Sequence, residues 1–144
     1  MEKNYDFILT NLAVGNYEAR TDPRFHAVLT LISPSGYKEI EKKAPTKAKH
    51  TMHIPIYDGE LGIGPYLDDG YDFIDKHIKE GEVLVHCRAG ISRSPTMATY
   101  YIARNKNISA ITALSIVRMN REIVDPYPGF IMEVSTKLRD RKAL

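Results

Sequence analysis

Val83 Leu84 Val85 His86 Cys87 Arg88 Ala89 Gly90 Ile91 Ser92 Arg93 Ser94 Pro95 Thr96 runs from an apolar segment through a short polar loop into a proline-led segment. The β-branched run suits a buried strand, and Pro95 with the residues from Met97 to Ala103 suits a helix whose first turn tolerates proline. A loop at such a junction turns successive backbone N–H groups toward the positive end of the following helix, which makes an anion cradle without a metal. Gly90 supplies a bend where φ can be positive and the backbone can approach a guest closely. Arg93 closes the far side, because a planar guanidinium donates two parallel hydrogen bonds to a tetrahedral anion. The amides of Arg88, Ala89, Gly90, Ile91, Ser92 and Arg93 are therefore the candidate phosphate-binding set. Cys87 turns the cradle into a candidate catalyst, since amide donors, a helix N-terminus and an arginine favour the thiolate, the form that attacks. Ser94 is placed to donate a hydrogen bond to that sulfur as a leaving group, and His86 to shape the loop rather than transfer protons.

Outward from the loop, the pattern alternates strands and helices. Tyr5 to Gly15 reads as one or two short strands broken near Thr10 and Asn11, and Asn16 to Phe25 as a polar connector with room for a helical turn, stopped at Pro23. His26 to Ile32 reads as a buried strand ended by the turn chemistry of Ser33 Pro34 Ser35 Gly36. Lys38 to Lys43 suits a short surface helix, with Lys42, Lys43, Lys47 and Lys49 as a solvated face. Thr51 to Ile56 is a further strand, with Pro55 at its end or at a sheet edge. A glycine-punctuated loop covers 57–64. Pro65 to Glu80 carries Leu67, Tyr71, Ile74 and Ile78 at helical spacing, with Gly81 as its expected stop. After the loop, Pro95 to Asn105 is an apolar helix. Ser109 caps another, with Ala110, Ala113, Leu114 and Val117 at i, i+3, i+4 and i+7. Val124 to Gly129 breaks the chain, and Phe130, Val134 and Leu138 mark a last helix.

Without an internal repeat or composition shift, these elements predict one α/β domain over 1–144, with the loop at the C-terminal end of a strand, where open α/β sheets hold ligands. The 144 residues, 43% hydrophobic and 26% charged, are enough for one substantial core and exclude a disordered or fibrous chain. No apolar run approaches the roughly 20 residues that span a bilayer, and the N-terminus lacks a signal-peptide core, so a soluble cytoplasmic protein is expected. The single cysteine leaves no internal disulfide and no resolving thiol within the chain. A net charge of +2 is too small to point to nucleic acid. His50 and His53 have no cysteine or carboxylate at ligand spacing and read as strand or surface histidines. Tyr57, Tyr66 and Tyr127 read as pocket walls or as packing.

The run from His86 to Thr96 resembles the signature loop of the cysteine-dependent phosphatases, in the form used by small, atypical dual-specificity protein phosphatases of the protein tyrosine phosphatase superfamily. Ile54 Pro55 Ile56 Tyr57 Asp58 resembles the family's general-acid segment, Tyr71 to Glu80 the helix before the signature strand, and Leu114 to Ile123 the late helix. Gly129 Phe130 resembles the start of the closing helix. The resemblance implies a central mixed sheet of about five strands flanked by helices. It also implies a phosphocysteine intermediate, phosphorylated proteins as substrates, and no metal, cofactor, membrane or nucleic-acid partner; nothing indicates an oligomer. A shallow pocket accepting phosphotyrosine, phosphoserine and phosphothreonine is the leading expectation. RNA 5′-phosphate or phosphoinositide substrates, a non-catalytic phosphate-binding module and a rhodanese-like sulfur transferase are the alternatives.

Expelling an oxygen leaving group from phosphorus needs an acid. Asp58 opens the glycine-containing loop and lies 29 residues before Cys87, close to the family's spacing. Glu60, Asp68 and Asp69 are rivals, the last two with a helix-dipole reason to exist. Asn120 and Arg121 resemble a family segment that lies behind or beside the loop, and the resemblance gives Asn120 a supporting hydrogen bond there.

Overall fold

The computed structural model describes residues 3–143. Five strands form one sheet: β1 (Tyr5–Leu9), β2 (Leu12–Gly15), β3 (Phe25–Leu31), β4 (His50–Ile54) and β5 (Glu82–His86). Their order is β1-β2-β5-β3-β4, with β5 central and parallel to β2 and β3, β3 parallel to β4, and β1 antiparallel to β2. The central strand is the one that feeds the signature loop. Buried on both faces, it reads as a continuous apolar run rather than an alternating one.

Five helices accompany the sheet: α1 (Pro34–Lys43), α2 (Leu67–His77), α3 (Arg93–Lys106), α4 (Ala110–Asn120) and α5 (Pro128–Lys142). Strand alternation separates two cores. Leu12, Val14, Ala27, Leu29, Leu31, Val83 and Val85 meet the apolar faces of α2, α3, α4 and α5 in the main core. Ala13, Val28 and Leu84 face the other way into a smaller cluster with Ala19 and Phe25. Phe25 and Val28 share that side despite odd spacing because the β3–β5 register shifts between Phe25 and Ala27. The shift is a bulge that re-aims the intervening residue, His26.

The structure moves several boundaries read from the sequence. Ser33 and Pro34 begin α1 instead of forming a turn: Ser33 Oγ accepts the Gly36 N–H and Pro34 occupies the first turn, where its missing N–H costs nothing. Pro65 lies in a short 3-10 turn, Gly64–Tyr66, and α2 proper starts at Leu67. That helix ends at His77, so Gly81 is not its stop. A side chain at Gly81 would meet the ring of His26 at 2.9 Å, and the missing Cβ admits that ring. α3 begins at Arg93, so Arg93 and Ser94 belong to its first turn. Among the described residues no helix is long and apolar enough to cross a membrane.

Candidate active site

The loop of residues 87–92 is shaped by what surrounds its carbonyl oxygens. The Arg88 carbonyl accepts from Tyr17 N at 3.2 Å and the Ile91 carbonyl from Asp125 N at 2.9 Å. Arg121 holds the next two, donating from Nε to Gly90 O at 2.9 Å and from Nη2 to Ala89 O at 3.4 Å. The Ser92 carbonyl accepts from Thr96, both N at 3.0 Å and Oγ1 at 2.8 Å. Five consecutive carbonyls are thus drawn outward. A peptide plane whose oxygen points out turns its N–H in, and none of the amides of residues 88–92 donates to a protein group among the described residues. Gly90 makes the reversal possible: its φ is +71°, and a Cβ there would sit 2.6 Å from Arg121 Nη2 and 2.7 Å from the Gly15 backbone.

Cys87 follows β5 directly and is 2% exposed, beneath a loop whose Arg88 and Ala89 face solvent. Its Sγ lies 3.2 Å from Ser94 Oγ, and Ser94 Oγ is 3.4 Å from Gly15 O. The two side chains meet because Ser94 sits in the first turn of α3, whose N-terminus points at the loop. Arg93, 9% exposed, donates from Nη1 to Ile56 O at 3.1 Å. Its Nε is buried with no hydrogen-bond partner among the described residues. An arginine so placed has donor capacity left for an anion.

His86 occupies a buried network on the opposite face of the sheet. Nε2 lies 2.8 Å from Thr30 Oγ1 and 3.1 Å from Arg20 Nη1, while Nδ1 lies 3.1 Å from Cys87 O. Because Arg20 can only donate, Nε2 is the acceptor and Nδ1 carries the proton that bonds Cys87 O. Burial pushes the imidazole down to about 3; the bond to Cys87 O works against this, and the Arg20 and Arg93 charges add to it. His86 is therefore neutral and positions the start of the loop. Arg20 Nε also donates to Ala44 O at 2.9 Å, which ties this network to the end of α1.

Asp58 lies in an exposed turn after β4, at the end of the segment that Arg93 grips at Ile56. The far end of the same loop is held by Glu133 on α5, whose carboxylate accepts from Gly62 N at 3.1 Å and Gly64 N at 3.0 Å. Glu60 and Asp69 are exposed. Asp68 is committed elsewhere: it accepts from Tyr100 Oη and pairs with Arg104 at 3.0 Å, Lys137 at 3.4 Å and Arg141 at 3.6 Å. Burial raises the Asp68 carboxyl, but the Tyr100 bond and the three cations outweigh it and leave the group below its ordinary range.

Asn120 is not the supporting residue. Its amide donates to Ile116 O at 2.9 Å, one turn back in α4, and the side chain is exposed. The neighbouring Arg121 is 2% exposed and takes that place, because its longer fork reaches Gly90 and Ala89 while Nη1 pairs with Asp6 at 2.9 Å. Tyr127 contributes backbone as well as packing: its N–H donates to Ser92 Oγ at 2.9 Å and its ring meets Phe130 edge-on. Sequence reasoning missed Arg20, Tyr17, Asp125 and Glu133; it placed Arg121 in the segment beside the loop but gave the supporting bond to Asn120. Among the described residues, the converging set of metal-ligand type, His26, His50 and Glu80, lies at the other end of the strands.

The family model described as "Dual specificity phosphatase, catalytic domain" matches residues 18–139. The chain is 32% identical over 126 residues to dual specificity protein phosphatase 5 of Rattus norvegicus, covering 86% of this chain and 33% of that protein. The human protein of the same name is 38% identical over 84 residues, 57% of this chain and 22% of the relative. The chain spans between 13% and 50% of the length of the curated relatives it most resembles. Among solved structures, human DUSP28 superimposes with a TM-score of 0.85 at 16% identity, over 99% of this chain and 97% of that one. At that identity the likeness bears on the fold alone.

Proposed function

The chain belongs to the dual specificity phosphatase family, and from that premise we propose that it hydrolyses phosphotyrosine and phosphoserine or phosphothreonine in proteins through a phosphocysteine intermediate. In the first step the substrate phosphate rests on the inward amides of Arg88, Ala89, Gly90, Ile91, Ser92 and Arg93. The Arg93 guanidinium bonds two of its oxygens. Cys87 Sγ attacks phosphorus in line; the S–P bond forms as the P–O bond to the leaving group breaks, and Asp58 gives that oxygen a proton. In the second step Asp58 takes a proton from water, the water oxygen bonds phosphorus, and the S–P bond breaks. Ser94 Oγ, already beside the sulfur, stabilises the departing thiolate. Charge on the equatorial oxygens meets donors that are fixed before substrate arrives, which is where most of the rate enhancement is expected to arise.

The observation that carries this reading is the outward draw on five consecutive carbonyls, of Arg88, Ala89, Gly90, Ile91 and Ser92, beneath which Cys87 and Ser94 meet. It supports an anion site whose charge partner is backbone, with the buried Arg93 guanidinium beside it.

The test is a turnover panel in excess chelator: phosphotyrosine and phosphothreonine peptides, a phosphoinositide and a 5′-triphosphate RNA. Turnover of both peptides, exceeding that of the lipid and the RNA, is expected. Preference for the lipid or the RNA would move the substrate class, and loss of activity in chelator would contradict the metal-free mechanism.

A further inference from the structure

We propose that His26, His50 and Glu80 form a second, non-catalytic site on this domain, one that binds a divalent transition metal of the zinc class. One ligand atom from each of the three side chains lies within 4.8 Å of the others. They come from three different elements: β3, β4 and the turn after α2. A tetrahedral zinc ion with ligands at roughly 2.0–2.2 Å spaces them about 3.4 Å apart, so the group needs only a modest rotation to close, and Glu80 is exposed enough to make it.

Two features of the backbone bring the group together. The β3 bulge turns His26 to the same face as its neighbour Ala27, the side packed against α2. Ala27 is the register partner of His50, which puts the two imidazoles side by side, with ring centroids 5.8 Å apart. Gly81 then lets the turn bearing Glu80 come within van der Waals reach of the His26 ring.

The hydrogen bonding of His26 matches that of a metal-ligating histidine. Its Nε2 lies 2.9 Å from the carbonyl oxygen of His77 and donates to it, which leaves Nδ1 with the lone pair. Ligating imidazoles commonly donate their other N–H to a backbone carbonyl in this way, which fixes tautomer and ring plane.

An independent observation lies beside the group. His77 is 5% exposed, stacks on His50 at 4.2 Å, and its Nδ1 has no hydrogen-bond partner among the described residues. A buried ring nitrogen without a partner, beside two imidazoles and a carboxylate, is placed to bond a metal-bound water. Two imidazoles with one carboxylate form a donor set suited to zinc and its neighbours rather than to calcium or magnesium. The site lies at the N-terminal ends of β3 and β4, whereas Cys87 follows the C-terminal end of β5. A metal there would clamp the sheet edge to α2 without touching the phosphate loop.

The test uses tag-free protein of residues 1–144 carrying Cys87→Ser, which removes the one thiol of this sequence. Zinc chloride titrated in a calorimeter should bind with one-to-one stoichiometry. Cobalt(II) should give visible ligand-field bands. His50→Ala and Glu80→Gln should each weaken zinc binding at least tenfold, and exposed Glu80 tolerates its substitution without threat to folding. Absence of saturable binding near one equivalent, or an affinity unchanged by either substitution, overturns the proposal.

Discussion

Arg121 Nε donates to Gly90 O at 2.9 Å, joining the C-terminal end of α4 to the bend of the phosphate loop 31 residues earlier. The same guanidinium reaches Ala89 O, Lys3 O and Asp6 Oδ2, so a single side chain fixes the loop, the start of the chain and α4 to one another.

Replacing Arg121 with methionine keeps much of the volume but leaves the loop carbonyls and Asp6 without their donor. Breaking a buried pair and its hydrogen bonds costs about 3–5 kcal/mol. We predict a loss of that order in urea unfolding, together with weaker inhibition by inorganic phosphate. Asn120→Ala should change neither, since that amide bonds only its own helix.

Ser94→Ala removes the hydroxyl 3.2 Å from Cys87 Sγ. A hydrogen bond to a charged group contributes about 1.5–3 kcal/mol, so breakdown of the phosphocysteine should slow roughly ten- to a hundredfold. With an aryl phosphate bearing a good leaving group, stopped-flow kinetics should show a burst approaching one equivalent followed by slow turnover. A uniform slowing with no burst would place the role of Ser94 in the first step instead.

Glu133 accepts from Gly62 N and Gly64 N and so holds one end of the loop that begins at Asp58. If Asp58 is the proton donor, Asp58→Asn should lower kcat by about 10²–10⁴ for alkyl or peptide phosphates and far less for a substrate whose leaving group needs no proton. Glu133→Ala should show the same leaving-group pattern in weaker form. Asp68→Asn should cost stability, through lost contacts to Tyr100, Arg104, Lys137 and Arg141, while leaving the rate near wild type.

His86 gives a pH dependence whose sign is fixed. In the unfolded chain the imidazole protonates below 6.5, whereas burial in the fold holds it neutral down to about 3. Between those values the unfolded state binds the extra proton, so stability is full above 6.5 and falls as the pH drops, at up to about 1.4 kcal/mol per pH unit. The lowered value of His77 works in the same direction. Urea midpoints measured from pH 7 to pH 4 should fall steeply in the wild type and less steeply in His86→Gln, which starts from a lower neutral-pH stability.

The parts of the molecule legible in the sequence are those in which local chemistry and the fold agree. The apolar run of β5, Gly90 at the bend, Arg93 and Ser94 after it, and the Ser109 cap of α4 each carry their signal within a few residues. Ser33 Pro34 was ambiguous for a physical reason, since a serine followed by proline suits a turn and a helix start equally. The loop's outer supports were not legible because they are made by chain distant in sequence. Asn120 and Arg121 lie three and four residues beyond Val117, so spacing alone offers either as a continuation of the buried stripe of α4; in the structure Asn120 faces solvent, and Arg121, in extended backbone just past the helix, turns inward. His26, His50 and Glu80 are likewise separated by 24 and 30 residues, and the β3 bulge that turns His26 toward the others has no signature in the pattern of side chains.

The central claim is that the sulfur of Cys87 becomes bonded to phosphorus during turnover. Rapid acid quenching of Asp58→Asn during hydrolysis of an aryl phosphate, followed by peptide mass spectrometry, tests it most directly. The account predicts a phosphoryl adduct on the peptide containing Cys87, localised to that residue and absent from Cys87→Ser. Steady turnover by Cys87→Ser, or an adduct on any other side chain, would contradict it.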